Sequence, residues 1–400
     1  MDPVANPFAP GAGSRPPALA GRDELLEAAS IAVRRIQAGR HARSMMLLGL
    51  RGVGKTVLLA RIEELAESFG YLTAVIEAPE ERRLAGLLVP KLRRILYRIS
   101  GKEKARVLGN HALGALRNFA SAFKVSHGEF EVGVKPEPGL AASGDLETDL
   151  TDLLVAIGEA ARAADQPAAI LIDEVQYLND EDLRALIVSL HRISQRALPL
   201  LMFGAGLPQL AALSGEAKSY SERLFDFPAV GPLDETATRD AVRVPIEEAG
   251  AEIDDDALAE IAERTEGYPY FLQEWGAHSW NVAPTSPVTR QDVVSASGKA
   301  TAALDASFFR VRFDRLTPRE QDYLRAMAAL GPGPHRSGEV AAKLGIAVTS
   351  AGPLRTGLIR KGMIWSPSHG DTAFTVPMFD QFMFRKMPDW RRGSGKGVRG

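Results

Sequence analysis

The segment Gly49–Thr56, GLRGVGKT, constrains the fold more than any other stretch of this chain. It follows the apolar run SMMLLGL and precedes VLLARIEELAESFG. A short, continuously apolar run suits a strand buried on both faces, and the residues after the turn place apolar side chains at helical spacing. A glycine-rich turn from a buried strand into a helix, spaced Gly49-x4-Gly54-Lys55-Thr56, is a phosphate-binding pattern. Glycines let backbone N–H groups converge on a phosphate without Cβ clashes. A helix starting at Lys55 adds the positive end of its dipole. The Lys55 ammonium can reach the outer phosphates, and the Thr56 hydroxyl is the hard oxygen ligand that Mg²⁺ prefers. Gly52, Val53 and Val57 complete the expected phosphate-binding set.

The second informative stretch is AAILIDEVQ. An apolar run leads into Asp173 and Glu174, acids at the C-terminal end of a strand, where parallel sheets place ligands. Asp173 is positioned to hold Mg²⁺ together with Thr56, and Glu174 to polarise a water for in-line attack on a phosphate. The plainer reading of the acid pair is a helix cap. The phosphate loop elsewhere in the chain favours hydrolysis.

Strand-like and helix-like segments alternate through the first half of the chain, which predicts an α/β fold with a parallel sheet covered on both faces. We expect a P-loop core over 21–231, with an insert at about 101–145 that contains a hairpin turning at His127-Gly128. That insert is the expected partner-specific surface. Residues 1–20, rich in Pro, Gly and Ala, read as an extended, unpacked arm. Residues 232–300 read as a helical lid. Over 301–390 the order is a helix opening at Thr317-Pro318, a short helix ending in Gly345, a helix over about Ser350–Gly362 and two strands around Ser366–Asp371. That order describes a winged helix, followed by a basic tail at 391–400.

The chain has no cysteine, which excludes disulfides and thiolate metal sites. Its seven histidines show no ligand-like spacing. No apolar run approaches the roughly 20 residues needed to cross a bilayer, and the N-terminus lacks a signal pattern, so a cytoplasmic location is expected. Net charge is −2, but residues 301–400 hold 16 basic and 8 acidic side chains, leaving −10 on the remainder. A basic C-terminal quarter on an acidic body suggests a polyanion partner, or simply a solubilising tail.

These motifs resemble AAA+ ATPases of the origin-recognition type and the related STAND signalling ATPases. LAGRDELLEAA is similar to the N-terminal box whose Gly-Arg, here Gly21 and Arg22, approaches adenine. GLRGVGKT and LIDEVQYL resemble the Walker A and Walker B motifs, and EGYPYFLQEWG resembles the lid segment whose Gly267 and Pro269 pack near the nucleotide. The resemblance implies ATP as nucleotide and Mg²⁺ as cofactor. Arg223 lies where such families carry an arginine finger acting on a neighbouring subunit of a homo-oligomer; a surface ion pair is its alternative role. Two departures stand out. The usual polar sensor after the fourth strand is replaced by Gly204-Ala205-Gly206, and Tyr268 and Tyr270 occupy the lid positions near Gly267 where many members place an arginine. Missing sensor chemistry favours a slow nucleotide-dependent switch over a fast motor.

In a helix–turn–helix the second helix enters the major groove. Its candidate contacts are Ser350, Arg355, Thr356, Arg360 and Lys361, with Leu354, Leu358 and Ile359 turned to the domain core. Arg385, Lys386, Arg391, Arg392, Lys396 and Arg399 would add sequence-independent attraction to phosphates. Two functions remain open: an ATPase switch that reads double-stranded DNA, and a signalling or scaffold ATPase whose winged helix contacts protein.

Overall fold

The structure, a computed structural model, describes residues 1–11, 16–79, 83–125, 136–219 and 221–391. They divide into two units: Arg22–Gly49 with Lys55–Val230, and Met1–Gly21 with Leu50–Gly54 and Gly231–Gly400.

The first unit follows the alternation written in the sequence. Its elements are α1 (Asp23–Gln37), β1 (Ser44–Leu48), α2 (Lys55–Ser68), β2 (Leu72–Glu77), α3 (Leu84–Ser100), α4 (Arg106–Ala122), α5 (Leu146–Ala163), β3 (Ala168–Asp173), α6 (Asp180–Gln195), β4 (Leu200–Gly206), α7 (Leu210–Ala217), α8 (Ser221–Leu224) and β5 (Phe225–Asp226). The strands pair in parallel in the order β2-β3-β4-β1-β5. This is the α/β P-loop architecture. β3 and β4 are buried at every residue, the physical reason that AAILID and LLMFGAG are apolar throughout. After β1 the chain runs to the far edge of the sheet, and it later returns to fill β3 and β4. Such a reversal opens a crevice at the C-terminal ends of the strands, where this fold class binds ligands.

The segment 101–145, expected as an insert and a partner-specific surface, contributes its helix α4 to the apolar core. Ala112, Leu113, Leu116 and Phe119 are buried in one apolar cluster with Leu92 and Leu96 of α3 and Leu150 and Leu153 of α5. The positions recur at helical spacing, so α4 presents an apolar stripe that has to be covered. The hairpin expected at His127-Gly128 lies outside the described residues.

The second unit contains α9 (Glu235–Glu248), α10 (Asp255–Thr265), α11 (Pro269–Val282) and α12 (Arg290–Leu304), the last running through a π-helical turn at Asp305–Phe309 into α13 (Arg310–Phe313). Then follow α14 (Pro318–Ala328), β6 (His335–Arg336), α15 (Ser337–Leu344), α16 (Val348–Arg360), β7 (Ile364–Trp365), β8 (Asp371–Phe374) and α17 (Phe379–Lys386). The last three strands form an antiparallel sheet in the order β6-β8-β7. Thr317 and Glu320 exchange hydrogen bonds in a capping box, with Pro318 at the first helical position, which fixes the start of α14.

The N-terminal residues are also not the unpacked arm that their composition suggests. Phe8 is buried against α11, where a Cβ on Gly276 would stand 2.7 Å from its ring. Asn6 Nδ2 donates to Ala277 O at 3.0 Å, and Trp280 Nε1 donates to Asp2 O at 2.8 Å. One aromatic side chain and a few backbone groups suffice to dock a segment that carries no periodicity of its own.

The place of α4 in the core can be measured. Phe119→Ala should lower unfolding free energy by about 3–5 kcal/mol, the cost of emptying a buried aromatic site. A side chain on a peripheral surface would cost about 0.5 kcal/mol or less. Urea denaturation of the purified protein distinguishes the two.

Candidate nucleotide site

The site grows out of the ends of β1 and β3 in the first unit. Gly49, the residue after β1, donates its N–H to Gly206 O at the end of β4 at 3.1 Å. Helix α2 begins at Lys55, so its unpaired N–H groups face the turn before it. Lys55 is 7% exposed, and its Nζ donates to Gly49 O at 2.9 Å. A buried ammonium needs such a partner, because removal from water is costly without one. Thr56 Oγ1 donates to Asp173 Oδ2 at 2.5 Å, and the Glu174 N–H donates to Asp173 Oδ1 at 2.8 Å. The fold thus joins the two sequence motifs directly, across 117 residues of chain.

Asp173 is 7% exposed, and burial pushes its carboxyl above the ordinary carboxylate range. The Thr56 hydrogen bond opposes this rise, neighbouring Glu174 adds to it, and Lys55 opposes it again. A hydroxyl and a desolvated carboxylate in contact are hard oxygen donors that suit Mg²⁺. No group of three or more His, Cys, Asp or Glu stands together as a metal cage among the described residues. An ion here would complete its shell with phosphate oxygens and water, as Mg²⁺ commonly does.

Glu174 takes φ +53°, the left-handed region that a side chain with Cβ enters at a cost of about 1 kcal/mol or more. It caps a 3₁₀ turn, Val175–Tyr177. Its carboxylate accepts a hydrogen bond from Gln176 Nε2. Gln176 Oε1 in turn accepts the N–H of Leu207 at 3.1 Å, at the end of β4. This arrangement explains the absent sensor side chain. A Cβ on Gly204 would stand 2.4 Å from Met46 Sδ, and one on Gly206 would stand 2.8 Å from Gln176 Oε1. Gln176 occupies the space next to the end of β4 and is a candidate functional residue that no motif in the sequence marks. Its place two residues after Glu174 in LIDEVQ was the available signal. Arg223 lies exposed on the short helix α8. Arg22 is 8% exposed at the N-terminus of α1, and Val57 lies half-buried in α2.

The tip of the glycine turn, Leu50–Gly54, groups with the second unit. Gly52 and Gly54 take φ +83° and +89°, conformations that favour glycine, and Val53 between them is 1% exposed. Gly52 O accepts from the Tyr270 N–H at 3.3 Å, and Tyr270 stacks on Phe308 at 4.6 Å. Arg51 donates its N–H to Thr375 O and its Nε to Gly362 O, each at 3.2 Å. Gly21 and Gly267 meet around Leu233. A Cβ on Gly267 would lie 2.4 Å from Leu233 O, and one on Gly21 would lie 3.5 Å from Leu233 Cδ2. Pro269 opens α11 at its first position.

The residues expected to touch DNA fall into two groups. Ser350, Thr356 and Arg360 are exposed on α16. Arg355 and Lys361 are not available as expected. The Arg355 guanidinium donates to Thr372 Oγ1, Ser366 Oγ and Asp371 O at 3.1, 2.8 and 3.0 Å, which ties α16 to the β7–β8 hairpin. Lys361 Nζ donates to Glu320 Oε2 at 2.7 Å and to Arg315 O at 3.1 Å. Arg385 is paired with Asp305 at 2.6 Å, and Lys386 lies over the Phe313 ring at 5.7 Å. Arg391 is the last described residue of the chain; Arg392, Lys396 and Arg399 lie outside the described residues.

Residues 18–203 match the family described as AAA ATPase domain. This part of the chain is similar to AAA ATPase domains. Residues 306–383 match a second family, described as Domain of unknown function (DUF8462). No curated protein matches the chain. Among solved structures, the Walker-type ATPase PABY2304 of Pyrococcus abyssi is 16% identical, with a TM-score of 0.58 over 91% of this chain and 96% of that one. It shares the fold. Cdc6p from Pyrobaculum aerophilum is 13% identical, with a TM-score of 0.47 over 97% of this chain and 98% of that one. The Aeropyrum pernix ORC1 protein, solved in complex with DNA, is 16% identical with a TM-score of 0.43 and 95% coverage of both chains. The match over residues 18–203 agrees with the expected resemblance to AAA ATPases. No helix among the described residues is long and apolar enough to cross a membrane.

The burial of Asp173 makes a pH-dependent prediction. A carboxyl raised in the folded state binds its proton more tightly folded than unfolded, so stability falls as pH climbs from the ordinary Asp value through the raised one and then stays lowered. Asp173→Asn removes that cost. We expect the melting temperature of the nucleotide-free variant, relative to wild type, to rise between pH 4 and pH 8. The variant should also lose the Mg²⁺-dependent part of any stabilisation by ATP. Thermal melts at both pH values check this.

Proposed function

We propose that the protein binds Mg²⁺·ATP at the ends of β1 and β3 and hydrolyses it slowly, as a cytoplasmic nucleotide-dependent switch. The observation that carries this reading is the contact of Thr56 with Asp173 beside the buried Lys55. In this reading the glycine-turn amides from Gly49 to Val57 and the Lys55 ammonium bind the phosphates. Thr56 and Asp173 hold Mg²⁺, which when bound supplies charge neutralisation at the phosphate oxygens. Glu174 orients the attacking water and takes up its proton. Gly21 and Arg22, and separately Gly267 and Pro269, take the base-proximal roles that the family resemblance implies. Arg223, exposed on α8, serves a neighbouring copy in a nucleotide-dependent homo-oligomer.

The segment Gly204-Ala205-Gly206 offers no polar side chain, which favours slow turnover. Coupling to the C-terminal segment is supported by the two hydrogen bonds of Arg51 to Gly362 and Thr375. We read residues 301–390 as a winged helix that engages double-stranded DNA through Ser350, Thr356 and Arg360. A second reading has its own support. Arg355 and Lys361 are spent on internal hydrogen bonds, which leaves a thin cationic face and favours contact with a protein partner.

Two measurements test these readings. Glu174→Gln should reduce phosphate release by at least about tenfold, in the range expected for loss of a general base, while ATP binding is kept. Equal rates would remove Glu174 from the chemistry. Duplex DNA binding should weaken with salt, and Arg360→Ala should weaken it across sequences and reduce the salt slope by about 1. Absence of binding at low salt would leave the protein-contact reading.

A further inference from the structure

Gln176 links Glu174 to the phosphate loop through a single peptide group. The Gly206–Leu207 peptide is held at both ends. Its carbonyl, Gly206 O, accepts the N–H of Gly49 at 3.1 Å, and its N–H, on Leu207, donates to Gln176 Oε1 at 3.1 Å. The other end of the Gln176 amide donates through Nε2 to the Glu174 carboxylate. The path thus runs from the first residue of the loop, across the end of β4, to the residue proposed to activate water. The Gly206–Leu207 peptide and the Gln176 amide each both donate and accept, and such chains polarise cooperatively in a low-dielectric interior.

Three features indicate that this arrangement is specific. Gly206 has no Cβ, and a Cβ there would stand 2.8 Å from Gln176 Oε1, so the approach of the amide depends on glycine. Glu174 holds a left-handed backbone at φ +53°, and strain of this kind persists where the surroundings over-determine it. A side-chain amide is also the group that can satisfy a backbone N–H and a carboxylate together, since it carries an acceptor and donors on one plane.

We propose that Gln176 is the positioning residue of this ATPase site: it holds the Glu174 carboxylate in register with the phosphate loop and takes the place of the sensor side chain absent from β4. This rests on the reading of Glu174 as the group that activates water. Gln176 does not contact the reacting atoms; it acts through Glu174. A shift of the loop backbone at Gly49 on nucleotide binding moves the Gly206–Leu207 peptide, and with it the Gln176 amide.

Steady-state hydrolysis by wild type, Gln176→Ala, Gln176→Glu, Glu174→Gln and the double variant Glu174→Gln/Gln176→Ala tests this. Gln176→Glu keeps an acceptor for the Leu207 N–H but cannot donate to Glu174, so it preserves the backbone contact while breaking the link. Both Gln176 variants should lower kcat by about tenfold or more, with KM and ATP affinity within about twofold, the pattern for loss of an interaction made at the transition state. The double variant should be no slower than Glu174→Gln, because residues that act as a unit are not additive. The proposal is overturned if either Gln176 variant keeps wild-type kcat, if KM rises as kcat holds, or if the double variant loses the product of the two single losses. If Glu174→Gln is as fast as wild type, or wild type does not hydrolyse ATP, the reading of Glu174 fails and the proposal falls with it. Loss in Glu174→Gln without loss in Gln176→Glu overturns the proposal alone.

Discussion

A lysine ammonium and an aspartate carboxylate lie out of water at the C-terminal edge of one parallel sheet, and much of the domain exists to make that tolerable. Neither group is stable there unsupported. Lys55 is held by the carbonyl of Gly49, and Asp173 by the Thr56 hydroxyl and the Glu174 N–H. Those partners come from opposite sides of β4, so the strand order that separates β1 from β3 by one strand sets their spacing. The continuous apolar runs of β3 and β4 keep that spacing fixed, because every residue of both strands is buried. The residual cost, visible in the raised carboxyl of Asp173, is of the kind expected where a protein keeps charge ready for a ligand.

Glycine does two different jobs around this edge. In the turn, Gly52 and Gly54 are needed for backbone conformation. At the end of β4, Gly204 and Gly206 are needed for space, because Met46 and Gln176 fill the volume a side chain would take. Gly206, which looks like part of a lost sensor in the sequence, is thus the condition for a different polar contact. Absence of a side chain at one position and presence of an amide at another are one packing decision.

The sheet and the two motifs were legible because their signals are local. Buried strands advertise themselves as apolar runs, and the phosphate loop by its spacing. What escaped depends on partners far away in sequence. Gln176 is an unremarkable polar residue until the fold brings Leu207 beside it. The apolar stripe of helix α4 names no partner in the sequence, and only α3 and α5 show what covers it. Arg355 and Lys361 looked like DNA contacts because a cation on a helix does not disclose Thr372, Ser366 or Glu320 as neighbours. The docked N-terminus was misjudged for the same reason, since a Pro- and Gly-rich segment can be fixed by one phenylalanine over one glycine.

The central claim, that the Lys55, Thr56 and Asp173 cluster is a Mg²⁺·ATP site, is tested most directly by calorimetric titration of wild type and Lys55→Ala with ATP, each with Mg²⁺ and with EDTA. The account predicts saturable binding by wild type that strengthens with Mg²⁺ and weakens by at least about tenfold, near 1.4 kcal/mol, in the variant. Binding that is equal in the two proteins, or that is indifferent to Mg²⁺, would contradict it.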